Sequence, residues 1–192
     1  MRRASWILGF LVLLASSSFS LAQMAKTDQA PTVSNIEDHL VGMAEGEFVP
    51  TSDAMPEDKY SFAPTNGEFK GVRTFAQQVK HVAAVNYMIG AAILEQKPPV
   101  ELGGENGPDS ITSKADIMKF LKDSFAYLHK AAASINEKNE TDQIKSPFGQ
   151  GKVTRLGIMT IALWHPFDHY GQMVEYLRMN RNETSRPRRS GP

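Results

Sequence analysis

The spacing of apolar residues along the chain predicts four helices, of which the first is short. It covers residues 33–43, where Ile36, Leu40 and Met43 recur at helical intervals. Gly46 is expected to end it, because glycine lowers helix stability and commonly terminates helices.

The second helix is predicted to be buried on most sides. Residues 48–72, rich in proline, glycine and aspartate, form a long loop before it. Thr74 is then a suitable N-cap, and the helix is expected to reach about Glu95. Residues 82–94 carry no charged side chain, which is typical of a helix surrounded by protein.

The third and fourth helices complete the predicted fold. The third begins at the capping sequence Ser113-Lys-Ala-Asp116 and extends to about Ile135. A polar loop containing Pro147 leads to the fourth helix, over residues 152–180. No segment alternates with the period of two residues that indicates a strand. The prediction is therefore an all-α fold, an up-down four-helix bundle with long connecting loops.

The N-terminal segment has the three parts of a secretory signal peptide. Arg2 and Arg3 precede the apolar run of residues 6–15, and Ser20-Leu-Ala22 supplies small residues for cleavage. The apolar run is shorter than the roughly 20 residues that span a bilayer, although an uncleaved anchor is the alternative interpretation. Cleavage after Ala22 would leave a secreted or periplasmic protein with no further membrane segment.

The predicted organisation follows from these boundaries. A signal peptide over residues 1–22 and a polar linker over 23–32 precede the helical domain of residues 33–181. Residues 182–192 are predicted to form a basic disordered tail.

Composition narrows the chemistry. The 192 residues balance 21 basic against 21 acidic side chains, which argues against general nucleic-acid binding. The absence of cysteine excludes disulfides, thiolate metal sites and cysteine nucleophiles. Histidine is the remaining strong candidate for metal chemistry.

Three of the five histidines are candidate metal ligands. His165 and His169 are four residues apart on the fourth helix, so their rings lie on one face about 6 Å apart. His81 lies among apolar residues of the second helix, where it is either a hydrogen-bonded core histidine or a ligand. Three histidine ligands with open positions are typical of a reactive metal site. His39 is expected to be solvated, and His129 to be partly exposed.

The residues around His165 and His169 bear on the type of site. The second position of the HxxxH motif is Pro166, whereas zinc peptidases of the H-E-x-x-H type need glutamate there as general base. Pro166 is expected to cause a kink or a helix restart near Trp164. Gln172 shares the face of His169 and is the candidate to support that ring, whereas Asp168 should face another helix or solvent.

Aromatic residues near the candidate site are interpreted as structural. Trp164 and Phe167 are expected to pack within the bundle rather than to bind a substrate. Tyr60 and Phe62 are expected to fix the long loop to the core rather than to close over the metal.

Four motifs occur in order along the chain. They are Pro56-Glu-Asp-Lys-Tyr-Ser-Phe-Ala-Pro-Thr65, Arg73-Thr-Phe-Ala-Gln-Gln-Val-Lys-His81, Ser124-Phe-Ala-Tyr127 and His165-Pro-Phe-Asp-His169-Tyr-Gly-Gln172. Over roughly residues 33–180, this series resembles the DinB/YfiT-like superfamily. The helical His81 and the H-x-x-x-H-x-G-Q run are its most specific parts.

The resemblance implies that the three candidate histidines bind one divalent metal ion, zinc or nickel, in a four-helix bundle. It also implies a homodimer. Some relatives are thiol-dependent transferases, and others are isomerases or hydrolase-like enzymes. Export of this chain would separate it from the thiols that cells maintain in the cytosol.

Two functional hypotheses follow. The first is an exported metal-dependent transferase or hydrolase acting on an unknown small-molecule substrate, with the metal as Lewis acid. The second is a non-catalytic metal-binding or structural bundle. The sequence shows no convincing proton-transfer group beside the histidines, so no catalytic residue is assigned.

Overall fold

The computed structural model describes residues 30–180, and four long helices dominate them. The predicted signal peptide, most of the predicted linker and the predicted basic tail lie outside the described residues. The helices are α1 (Val33–Asp53), α2 (Phe75–Ile93), α3 (Lys114–Ser134) and α4 (Arg155–Asn180). A short 3-10 helix (Glu57–Lys59) and two short strands, β1 (Gln143–Lys145) and β2 (Lys152–Thr154), lie in the connections.

The starts of α2 and α3 are confirmed where the sequence predicts them. Thr74 accepts a hydrogen bond from the backbone N–H of Gln77, whose side chain accepts one from the Thr74 N–H. Ser113 accepts a bond from the backbone N–H of Asp116 in the same way. These caps satisfy N–H groups that the first turn of a helix leaves without partners.

Helix α1 is longer than predicted. It continues past Met43 and Gly46, and through Pro50, to end at Asp53. The additional turns carry Phe48, which is fully buried and lies with its ring centroid 6.5 Å from that of Phe125. Burial of a large aromatic side chain outweighs the local preferences of glycine and proline.

The apolar residues whose spacing predicts α1 do not form its buried face. Ile36 is 45% exposed and Met43 is 51% exposed. Val41, Ala44 and Phe48 form the buried face instead. Two apolar stripes run along this helix, and only the stripe that includes the unpredicted turn with Phe48 packs against the other helices.

The connection between α3 and α4 contains a β-hairpin, so the all-α prediction needs correction. Strands β1 and β2 are antiparallel, and the buried Ile144 pairs with Val153. Because residues 152–154 pair in this hairpin, α4 begins at Arg155 rather than at residue 152. Each strand has only three residues, which is too short for a recognisable alternating pattern.

The helices do not follow a simple up-down order. Helices α1 and α2 each pack mainly against α3 and α4, so the chain crosses the bundle between α1 and α2 and again between α3 and α4. Lys80, early in α2, bonds to Ile111 just before α3, and Gly90 lies against Tyr127 late in α3. These contacts indicate that α2 and α3 run in the same direction. The connection over residues 94–113 must therefore return along α2.

Helix α2 is the centre of the domain. Fourteen of its 19 residues are buried, as its long charge-free stretch predicts. Gln78, near the start of α2, bonds to His169 in the second half of α4. Glu95, just after the end of α2, pairs with Arg155 at the start of α4. Helices α2 and α4 are thus antiparallel neighbours.

The long loop before α2 is fixed to the core, as predicted. The buried Tyr60 donates a hydrogen bond from its hydroxyl to the Ser52 carbonyl oxygen at 2.8 Å. Phe62 packs edge-on against Tyr176 with ring centroids 5.6 Å apart. Among residues 30–180, no helix has both the length and the apolar character to cross a membrane.

His129 links α1 to α3. His129 contacts two carboxylates of α1, with Nδ1 2.6 Å from Asp38 Oδ1 and Nε2 3.2 Å from Glu45 Oε2. Burial lowers the pKa of His129, but the bonds to Asp38 and Glu45 outweigh it and raise the pKa. His39 is exposed, as predicted.

We predict that His129→Gln destabilises the protein more at pH 5.5 than at pH 8.5. The pKa of His129 is higher in the folded protein than in the unfolded chain, where it is about 6.5. The contribution of His129 to the free energy of unfolding is therefore complete below pH 6.5 and is lost as the pH rises through the pKa of the folded state. We expect a loss of about 1 kcal/mol at pH 5.5, measured by urea unfolding. His39→Gln is the control and should have little effect at either pH. An equal loss for His129→Gln at both pH values would contradict the charged pairing.

Candidate metal centre

Three imidazole rings meet between α2 and α4. His81 comes from α2, and His165 and His169 come from successive turns of α4. The Nε2 atom of His165 lies 3.1 Å from Nε2 of His81 and 3.1 Å from Nε2 of His169. One ring nitrogen from each histidine lies within 4.8 Å of the others, a grouping that could hold a metal ion. The structure therefore brings together the three predicted ligand residues.

Hydrogen bonds to Nδ1 determine which nitrogen carries the proton in the rings of His81 and His169. Nδ1 of His81 is 2.5 Å from the Glu105 carbonyl oxygen, and Nδ1 of His169 contacts Oε1 of Gln78. Both oxygens only accept hydrogen bonds, so both Nδ1 atoms act as donors. In the neutral rings the Nε2 atoms of His81 and His169 then carry lone pairs.

The arrangement of the three Nε2 atoms fits a divalent cation better than hydrogen bonds among the rings. The lone pairs of His81 and His169 both face Nε2 of His165, which can donate at most one proton. A cation between the rings can accept a lone pair from all three nitrogens. Imidazole nitrogen is a common ligand of divalent transition metals and zinc.

The surroundings keep the rings neutral. Burial, followed by the neighbouring His169 and His81, lowers the pKa of His165 to about 3. Burial and then His81 lower the pKa of His169 to about 4. Burial also lowers the pKa of His81. Neutral imidazole is the form that binds a metal ion, so the rings need no deprotonation at neutral pH.

Gln78 is the supporting residue that the sequence prediction missed. Its side-chain oxygen contacts His169, and its Nε2 donates to Oε1 of Gln172 at 2.9 Å. The predicted supporting residue, Gln172, therefore orients Gln78 rather than contacting the ring. The sequence does contain a signal for this role, because Gln78 is a polar residue on a buried helix, three positions before His81. Asp168 is exposed and contacts Gln172, in agreement with the prediction that it faces away.

The connection after α2 supplies the Glu105 carbonyl oxygen, which accepts a hydrogen bond from His81. Lys80 is buried and donates from Nζ to the carbonyl oxygens of Pro108, at 2.8 Å, and Ile111, at 3.1 Å. Gly107 lies directly against Lys80 and has a φ of +74°, a conformation that favours glycine. These contacts hold Glu105 in place beside His81.

Helix α4 is continuous through Pro166, so no helix restart occurs near Trp164. His165 and His169 therefore keep their separation of one turn. Trp164 is 54% exposed and Phe167 is 41% exposed, so the prediction that they pack within the bundle is wrong. Because His165 and His169 face α2, the residues next to them in sequence lie on other faces of α4.

Comparisons with known proteins identify the family. The model of the DinB superfamily matches residues 43–173, about two thirds of the chain, and the chain belongs to this superfamily. No curated protein matches.

Solved structures with the same fold have low sequence identity. A conserved protein from Enterococcus faecalis is 18% identical with a TM-score of 0.62, covering 78% of this chain and 98% of its own. A DinB-like protein from Bacillus subtilis is 17% identical with a TM-score of 0.56, covering 76% of this chain and 94% of its own. At these identities the similarity establishes the fold alone.

We predict that Gly107→Ala lowers the free energy of unfolding by about 2 kcal/mol, because of backbone strain and overpacking. A Cβ atom at this position would lie 2.5 Å from Cβ of Lys80, whose ammonium group is tied to the same connection. Gly104→Ala is the matched control, since a Cβ there meets nothing within 4 Å. Chemical denaturation that gives equal stability for the two variants would contradict this account of the connection.

Proposed function

We propose that this chain is an exported DinB-superfamily protein that binds one divalent metal ion, zinc or nickel, through His81, His165 and His169. The observation that carries the proposal is the orientation of the rings. Oxygen acceptors hold the Nδ1 atoms of His81 and His169, so their Nε2 lone pairs point toward His165. Such support of a ligand ring is typical of metal-binding histidines.

The proposed reaction type is metal-dependent transfer or hydrolysis of a small molecule. Three protein ligands leave coordination positions open, and a metal ion bound there supplies a Lewis acid. The chain's own residues have distinct tasks in this proposal. The three histidines hold the ion, Gln78 orients His169, and the Glu105 carbonyl oxygen orients His81.

A non-catalytic metal-binding protein is the second candidate. The groups that contact Nδ1 of His81 and His169 are a backbone carbonyl and an amide, neither of which transfers protons readily. Asp168, the carboxylate next to a ligand in sequence, is exposed and contacts Gln172. Turnover of any substrate by the metal-loaded protein would separate the two candidates. The homodimer expected from the resemblance is also part of the proposal, and sedimentation measures it directly.

The first test is metal analysis of the purified protein beside the double variant His165→Ala/His169→Ala. We expect about one equivalent of zinc or nickel in the parent and loss of this metal in the variant, because a single histidine cannot hold the ion. The matched control is His39→Ala/His129→Ala, which removes two histidines outside the cluster and should retain the metal. A parent that contains no metal and takes up none on addition of zinc or nickel would refute the metal site.

The second test concerns export. When the full chain is produced in a bacterial host, we expect the periplasmic fraction to contain a protein that begins at Gln23, because small residues precede the cleavage point. Intact-mass measurement checks the new N-terminus. Ala22→Lys is the control and should block cleavage. Recovery of the parent in the cytoplasm with residues 1–22 still attached would contradict export.

A further inference from the structure

The side chain of Arg73 is tied to the structures that hold the three histidines. Arg73 immediately precedes Thr74, the N-cap of α2, and its Nε donates to Oδ1 of Asn106 at 2.9 Å. Asn106 follows Glu105, whose carbonyl oxygen contacts His81. The Arg73 carbonyl oxygen accepts a hydrogen bond from the Tyr176 hydroxyl at 3.0 Å. Arg73 is thus connected to both ligand-bearing helices and to the connection beside His81.

Among residues 30–180, the terminal nitrogens of the Arg73 guanidinium make no hydrogen bond. Nε makes the bond to Asn106, whereas the nearer terminal nitrogen lies 3.6 Å from Oε2 of Glu105, beyond hydrogen-bond distance. The Glu105 side chain is 91% exposed and the Arg73 side chain 27% exposed. Because the Glu105 carboxylate is exposed and lies beyond hydrogen-bond distance, this pair is weak and is readily exchanged for another carboxylate.

The position of Arg73 suits a ligand that also reaches the histidines. Arg73 lies two residues before Phe75, the first residue of α2, and Phe75 is about 9 Å from His81 along the helix axis. Helical side chains tilt toward the N-terminus of their helix, so the His81 ring leans toward Arg73 and shortens this gap. The bond to Asn106 places the Arg73 side chain one residue along the chain from Glu105, whose carbonyl oxygen contacts Nδ1 of His81.

We propose that Arg73 binds the carboxylate of a small anionic substrate whose other end reaches the position enclosed by the three histidines. This proposal rests on the metal-binding function proposed above and adds the chemical class of the substrate. A planar guanidinium with free terminal N–H groups matches a carboxylate in geometry and charge. Binding would replace the distant Glu105 side chain with a closer partner and leave the bond from Nε to Asn106 intact.

The test compares two probes that differ in one charge. Imidazole-4-acetate and 4-methylimidazole both offer a ring nitrogen to an open metal position, but only the first carries a carboxylate. Calorimetry on the metal-loaded full chain should show about tenfold tighter binding of imidazole-4-acetate, the gain expected from a charged hydrogen bond. Arg73→Gln should abolish this preference, and Arg73→Lys should keep part of it.

Arg178→Gln is the matched control, because it removes one positive charge at an exposed position that pairs with Glu175. It should retain the full preference for imidazole-4-acetate. An unchanged preference in Arg73→Gln would overturn the proposal. Equal weakening of both probes in that variant would also overturn it, since this result indicates a structural role for Arg73.

Metal content measured on the same samples separates this proposal from the proposed function. A parent chain that takes up no metal refutes the metal site, and Arg73 is then tested in the metal-free protein by NMR. Acetate should shift the Arg73 Nε–H resonance, whereas chloride at the same ionic strength should not. Identical spectra in acetate and chloride would overturn the carboxylate-binding role.

Discussion

The antiparallel packing of α2 against α4 is the contact on which the candidate site depends. It places a ring from one helix against two rings from the other, and it brings Gln78 to His169. Because α2 is buried along most of its length, contacts on several sides restrict its rotation about its own axis and its shift along that axis. The packed core of the domain therefore positions the three rings relative to one another.

The path of the chain after α2 completes the site. A simple up-down bundle would reverse directly from α2 into α3, but here residues 94–113 return along α2 before α3 begins. This return path carries the Glu105 carbonyl oxygen to His81 and places Asn106 beside Arg73. This return path thus provides two polar contacts that helix packing alone would not supply.

Several features could be predicted from local sequence because they depend on neighbouring residues. The caps at Thr74 and Ser113 act over three residues, so their side chains alone indicate the helix starts. The spacing of His165 and His169 likewise follows from helical periodicity, which survives the intervening Pro166. The charge-free stretch of α2 correctly indicated a buried helix because burial excludes unpaired charges.

Other features required the tertiary structure. The apolar stripe of α1 that is buried could not be chosen from the sequence, because Ile36 and Val41 are equally apolar and only packing distinguishes them. The β-hairpin depends on pairing between two three-residue segments, which have no local signal.

The chain's sequence by itself determined which histidines share a helix face and which helix offers the third ring. Only the tertiary structure decided that Gln78 and Glu105 provide the oxygens that orient His169 and His81, and that Arg73 lies beside them. The physical reason is the range of the interactions. Helix periodicity and capping act within a few residues, whereas these contacts join segments that become neighbours only when the helices pack.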